Sequence, residues 1–105
     1  MINYLKHLFI KKDDTPLIKT LQSNPFLVDV RTEQEFKSGH VKGSVNIPLG
    51  TVLAEINKFK NKKQIVVFCR SGNRSSMAKS LLVSKGITNV TNAGTWVKVN
   101  NLISK

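Results

Sequence analysis

The run Ile65-Val66-Val67-Phe68-Cys69 is the longest unbroken apolar stretch of the chain, and it stops abruptly at a polar loop, Arg70-Ser71-Gly72-Asn73-Arg74. A short continuous run rich in β-branched and aromatic residues predicts a strand buried on both faces, the kind found at the centre of a parallel sheet. The segment after the loop, SSMAKSLLVSKG, sets Met77, Ala78, Leu81 and Leu82 on one helical face and stops at Gly86, a natural helix C-cap. Strand, tight loop and helix in that order make one unit of an α/β fold. In such folds chemistry gathers at the carboxyl ends of the strands, beside helix N-termini. Cys69, the only cysteine, falls at such an end.

The same alternation runs through the rest of the chain. Pro25 to Val30, PFLVDV, reads as a buried strand. In TEQEFKSG, Thr32 caps a short helix with Glu35 three positions on, and Gly39 ends it. GSVNIP is a brief strand closed by Pro48. LGTVLAEINKF places Leu49, Val52, Leu53, Ile56 and Phe59 at helical spacing, an apolar stripe that can pack on a sheet. NVTNAGT is the last strand, and WVKVNNLISK after it packs Trp96 and Leu102. Near the start, Asp14 or Thr15 caps and Pro16 opens a helix through Leu21.

At 105 residues the chain has the length of one ordinary domain. Lys and Arg total 17 against 6 Asp and Glu, a formal charge of +11. Such a surface attracts anions. The lysines are scattered and no arginine cluster interleaves with aromatics, so nucleic acid is not an expected partner; an acidic protein or a small anionic substrate fits better. A lone cysteine excludes an internal disulfide and zinc sites built on paired cysteines, and His7 and His40 complete no metal site with it. No metal and no cofactor are expected. The N-terminus breaks its apolar residues with Lys6 and His7, so no leader or membrane segment is read there and a cytoplasmic location is expected.

A thiol reacts as its thiolate, which is favoured beside cations and at helix N-termini. Arg70 and Arg74 bring permanent positive charge. The helix starting near Arg74 offers unpaired N–H groups, and Gly72 allows the backbone to curl those groups inward around the sulfur. A cysteine that served only packing would have no use for a glycine turn flanked by arginines. Cys69 is therefore the candidate nucleophile, with Arg70, Ser71, Gly72, Asn73 and Arg74 as its anion cradle.

Four stretches, LVDVRTEQEF, SGHVKGSVNIP, IVVFCRSGNRS and GITNVTNAGTW, in this order and at this spacing, make the chain resemble a single-domain rhodanese, from Phe26 to about Trp96. The resemblance implies a rhodanese-like α/β fold: a five-stranded parallel sheet with helices on both faces, formed by residues 1–105 around a core at about 26–96. It implies a thiosulfate sulfurtransferase whose cysteine, matched by Cys69, accepts a sulfane sulfur as a persulfide and passes it to a thiol or cyanide. The donor is then a small sulfur anion held by the Arg70–Arg74 loop. Two arginines there favour a dianion over mercaptopyruvate, whose enzymes carry small neutral residues at those positions. The chain departs from the family in Ala93-Gly94, where many members have paired glycines.

Two other readings of the loop stand beside this one. A cysteine-dependent phosphatase also uses a thiolate in an N–H cradle, but it places five residues before its arginine, whereas four separate Cys69 from Arg74. A sulfur carrier or regulatory module would keep the cysteine and dock an acidic partner with little turnover. Among the remaining residues, Asp29 is expected to support the loop by accepting its N–H groups, and Arg31 to pair with Glu33 or Glu35. His40 fits a capping or turn role better than that of a general base, and Trp96 fits the core.

Overall fold

A computed structural model describes residues 14–104. The readings made above for residues 1–13, including those of His7 and of a leader, lie outside the described residues. The chain forms helix α1 (Thr15–Gln22), strand β1 (Phe26–Asp29), helix α2 (Glu33–Lys37), strand β2 (Val45–Asn46), two 3₁₀ turns (Leu49–Thr51 and Ile56–Phe59), strand β3 (Ile65–Cys69), helix α3 (Asn73–Ser84), strand β4 (Val90–Thr95) and helix α4 (Trp96–Ile103). The strands make one parallel sheet in the order β2-β1-β3-β4. Among the described residues the sheet has four strands where the resemblance implied five, and the rhodanese-like α/β architecture holds.

β3 lies between β1 and β4, and all five of its residues are buried. Successive side chains of a strand point to opposite faces. Accordingly Ile65, Val67 and Cys69 join Val28, Val30, Val52, Phe59, Ala78 and Leu82 on the α3 side of the sheet. Val66 and Phe68 join Leu17 of α1, Val41, Ala93 and Val99 of α4 on the other. Helices thus cover both faces, and a two-sided core holds the end of β3 in place. No helix among the described residues is long and apolar enough to cross a membrane.

Three segments differ from the sequence reading. Residues 49–59 form two 3₁₀ turns, because Leu49 and Val52, then Ile56 and Phe59, are spaced by three and a three-residue turn aligns each pair. Val52 and Phe59 are buried by it, whereas Leu53 is left 45% exposed. In α3 the buried stripe is Ser75, Ala78 and Leu82, and Met77 faces solvent. Polar contacts made by Ser75 set that rotation. At α1, Pro16 does open the helix, but Asp14 makes no side-chain cap bond and instead pairs with Lys98 of α4 at 2.8 Å. The capping box of α2 forms as its sequence indicates: the Thr32 hydroxyl accepts from the Glu35 N–H, and Glu35 accepts from the Thr32 N–H.

Candidate active site

β3 delivers Cys69 to the carboxyl edge of the sheet on the α3 side, where its side chain is fully buried. The chain must then reverse into α3 within a few residues. Gly72 makes this reversal, with φ 100° and ψ −14°, a left-handed conformation that side chains rarely adopt. Its N–H points back and donates to Cys69 Sγ at 3.0 Å. Gly72 is also the N-cap residue of α3, so the unpaired N–H groups of the first helical turn open beside the sulfur. The curled loop expected from Gly72 is present.

Ser75, one turn into α3 and fully buried, lies with its hydroxyl 3.5 Å from Sγ, 3.1 Å from the Gly72 carbonyl and 2.7 Å from Asn92 Oδ1. Burial pushes the Cys69 thiol up. Hydrogen bonds from the Ser75 hydroxyl and from the backbone N–H groups of Ser75, Gly72 and Ser71 outweigh it and bring the thiol below its ordinary value. The leading favourable contributions are hydrogen bonds, not the arginine charges that the sequence makes conspicuous.

The two arginines are placed differently. Arg70 is exposed at the rim, beside the thiol in sequence and without an ion-pair partner among the described residues. Arg74 is clamped by Glu35 through two bonds, Nη1 to Oε1 at 2.6 Å and Nη2 to Oε2 at 3.0 Å. That clamp ties the start of α3 to the capping box of α2. The Arg74 guanidinium and the Thr32 N–H hold the Glu35 carboxyl well below the carboxylate range, at about 2, and Glu35 in turn raises Arg74.

Arg31 pairs with neither Glu33 nor Glu35. Its Nε and Nη2 bind the Asp29 carboxylate at 2.7 to 3.0 Å, Nη2 also donates to the Gly39 carbonyl, and its guanidinium lies 4.5 Å from the centre of the Trp96 ring. Two residues apart, Asp29 and Arg31 both leave the end of β1 into the same buried space, and an unpaired charge there would be costly. Asp29 therefore commits its oxygens to Arg31, backbone N–H included, rather than to the cysteine loop. Trp96 is half-buried, packed against the Leu17, Val66 and Phe68 side of the core as expected, and its ring also covers Arg31. His40 is bonded through Nδ1 to the Phe36 carbonyl at 2.8 Å and stacked on the Phe36 ring, a helix-end role.

Sequence reasoning missed three site residues. Glu35 was legible as a cap but not as the partner of Arg74. Ser75 shares a helical face with Ala78 and Leu82, although hydropathy alone gives a serine no claim to burial. Asn92 carries no sequence signal. It sits where β4 slips register: Val67 pairs with Asn92 and Phe68 with Gly94, so Ala93 is an extra residue. Gly94, at φ 86°, permits the bulge, and its N–H donates to Asn92 Oδ1 at 2.9 Å. At the departure from the paired glycines, Ala93 is accommodated with its side chain 5% exposed in the core.

Known proteins resemble this chain in sequence and fold. The sequence profile of the rhodanese-like domain matches residues 13–98. Thiosulfate sulfurtransferase PspE of Escherichia coli is 38% identical over 69 residues, covering 64% of this chain and 66% of that protein. A putative sulfur carrier protein of Bacillus subtilis, YrkF, is 36% identical over 66 residues; the match covers 63% of this chain but only 36% of that longer protein. Among solved structures, a rhodanese with anions from E. coli superposes with a TM-score of 0.58 at 30% identity, covering 70% of this chain and 88% of the other. A human single-domain sulfurtransferase superposes at 0.63 with 26% identity, covering 81% and 90%. With the profile spanning most of the chain and relatives from bacteria to human sharing its fold, the chain belongs to the rhodanese-like sulfurtransferase family.

Proposed function

We propose that the protein moves a sulfane sulfur from thiosulfate or a related anionic donor to a thiol or cyanide through a persulfide on Cys69. The observation that carries this reading is the buried sulfur at the floor of a four-residue ring, with the Gly72 N–H 3.0 Å from Sγ. In the first half-reaction the thiolate attacks the outer sulfur of the donor. A Cys69–sulfur bond forms, the donor's sulfur–sulfur bond breaks, and sulfite leaves with the electron pair. In the second, the acceptor attacks the outer sulfur of the persulfide and the pair returns to Cys69. Arg70, free at the rim, supplies the charge-assisted hydrogen bond for the dianion, while the inward N–H groups hold the anionic sulfur. Arg74 acts as a fixed charge rather than a mobile hand.

The second reading, a sulfur carrier, draws on the likeness to the B. subtilis protein. It shares the persulfide and differs in turnover. Stoichiometric thiosulfate is expected to add the mass of one sulfur atom to the intact protein and release one sulfite. Cyanide or a thiol then removes that mass, with ping-pong kinetics. A Cys69→Ser variant stays folded and does neither. Loading without turnover would assign the carrier role, and hydrolysis of aryl phosphates without sulfur uptake would assign the phosphatase chemistry.

A further inference from the structure

The Ser75 hydroxyl has one proton and three acceptors within reach: Asn92 Oδ1 at 2.7 Å, the Gly72 carbonyl at 3.1 Å and Cys69 Sγ at 3.5 Å. Which end of the Asn92 amide faces Ser75 follows from Gly94, whose backbone N–H donates to the same atom at 2.9 Å and so must meet an oxygen. The Asn92 Nδ2 end lies 3.5 Å from the Gly72 carbonyl. Asn92 therefore holds the bulge of β4, the turn of the cysteine loop and the Ser75 hydroxyl together.

We propose that Asn92 is a positioning residue that competes with the Cys69 sulfur for the Ser75 proton, making the hydroxyl a toggle between Asn92 and Sγ that follows the sulfur's charge. With a neutral thiol, S–H donates to Ser75 Oγ and Oγ–H donates to Asn92. With the thiolate, Oγ–H turns to Sγ, and Asn92 Oδ1 keeps only its bond from Gly94. This rests on the persulfide reading above for its place in the cycle. Once the outer sulfur is bound, Sγ carries no charge and the proton returns to Asn92. When an acceptor removes that sulfur, the electron pair arriving on Sγ draws the proton back and stabilises the leaving thiolate.

The charged groups on the elements packed about β3 and the loop are mostly paired already. Arg74 on α3 is held by Glu35, Asp29 on β1 by Arg31 and Lys98 on α4 by Asp14. Lys79 on α3 and Arg70 in the loop are the others on these elements near the loop in sequence, and β4 brings no titratable side chain. The uncharged Asn92 is thus the contribution of β4 to the thiol.

The test is the pH midpoint of Cys69 alkylation by neutral iodoacetamide, which needs no sulfur donor and so can fail or succeed independently of sulfur transfer. Ser75→Ala is expected to raise the midpoint, with about a tenfold loss of thiolate below it. Asn92→Ala frees the hydroxyl for the sulfur and lowers the midpoint, but has no effect in a Ser75→Ala background. Asn92→Asp keeps the acceptor for both Gly94 and Ser75, and it raises the midpoint more when Ser75 is present than when it is Ala. A raised or unchanged midpoint in Asn92→Ala, or equal shifts by either Asn92 variant in both backgrounds, would overturn the toggle. Should Asn92→Ala fail to fold, the Asp comparison decides alone.

Discussion

Arg70 and Arg74 flank the same loop, yet their surroundings differ: one is exposed and the other is clamped by Glu35. Arg74 is oriented by Glu35 and coupled electrostatically to Cys69. Arg74→Ala is expected to raise the thiol pKa and lower sulfur-transfer kcat/KM on the order of ten- to a thousandfold, the range seen on losing one preorganised anion contact. Arg70→Ala raises KM for thiosulfate and leaves the alkylation midpoint nearly in place. Equal kinetic profiles for the two variants would refute the division. The clamp also has a pH signature. The Glu35 carboxyl is held near 2 in the folded protein instead of at its ordinary value of 4.5, so its contribution to stability is full above 4.5 and is lost as the pH falls toward 2. The stability difference between the wild type and Glu35→Gln, from urea midpoints, is expected to be constant at pH 5 to 7 and to vanish near pH 2. The size of that difference is small, because the pair is partly exposed.

At the scale of elements, the turn from β3 into α3 depends on one backbone conformation. A Cβ at Gly72 would meet only Gly94 Cα, at an ordinary 3.5 Å, so space is not the obstacle; φ 100° is. Gly72→Ala is expected to cost roughly 1–3 kcal/mol of stability, or to relax the turn and withdraw its N–H from Sγ. Denaturant midpoints report the first outcome and a raised alkylation midpoint the second, and a variant with neither effect would show that the turn is not strained. This turn was legible in the sequence because Gly72 stands between an unbroken apolar run and a helical pattern. The capping box at Thr32 and Glu35 was legible for the same reason: both are local, and their chemistry lies within four residues. The partner of Arg74 was not, since 39 residues separate it from Glu35 and three acids stand near Arg31 in sequence. Register is equally silent. Asn92 reaches Ser75 only because β4 slips by one residue beside Val67 and Phe68, and nothing in VTNAGT announces the slip. Residues 49–59 misled in another way, because apolar positions spaced by three and four fit an α-helix and two 3₁₀ turns alike until the sheet decides which side chains it will bury.

Across the whole molecule, the +11 charge is not offset locally. Each of the five acids among the described residues already has a basic partner: Asp14 with Lys98, Asp29 with Arg31, Glu33 with Lys37, Glu35 with Arg74 and Glu55 with Lys58. The remaining lysines and Arg70 therefore set the long-range field, and an approaching anion meets attraction without compensating carboxylates. Small donors and an acidic protein docking to deliver or collect sulfur would benefit alike. Screening shortens the reach of that field from about 30 Å at 0.01 M salt to about 10 Å at 0.1 M. The second-order rate of persulfide formation from thiosulfate is accordingly expected to fall severalfold across that range. Alkylation of Cys69 by neutral iodoacetamide serves as the control, since its rate depends on the thiolate but not on steering of the reagent. A parallel fall in both rates would place the salt effect on the thiol itself, and a salt-independent thiosulfate rate would show that capture is governed by contact with the loop alone. The discriminating result is a thiosulfate rate that falls while the iodoacetamide rate holds, because only the whole-molecule field distinguishes a dianion from a neutral reagent at the same sulfur.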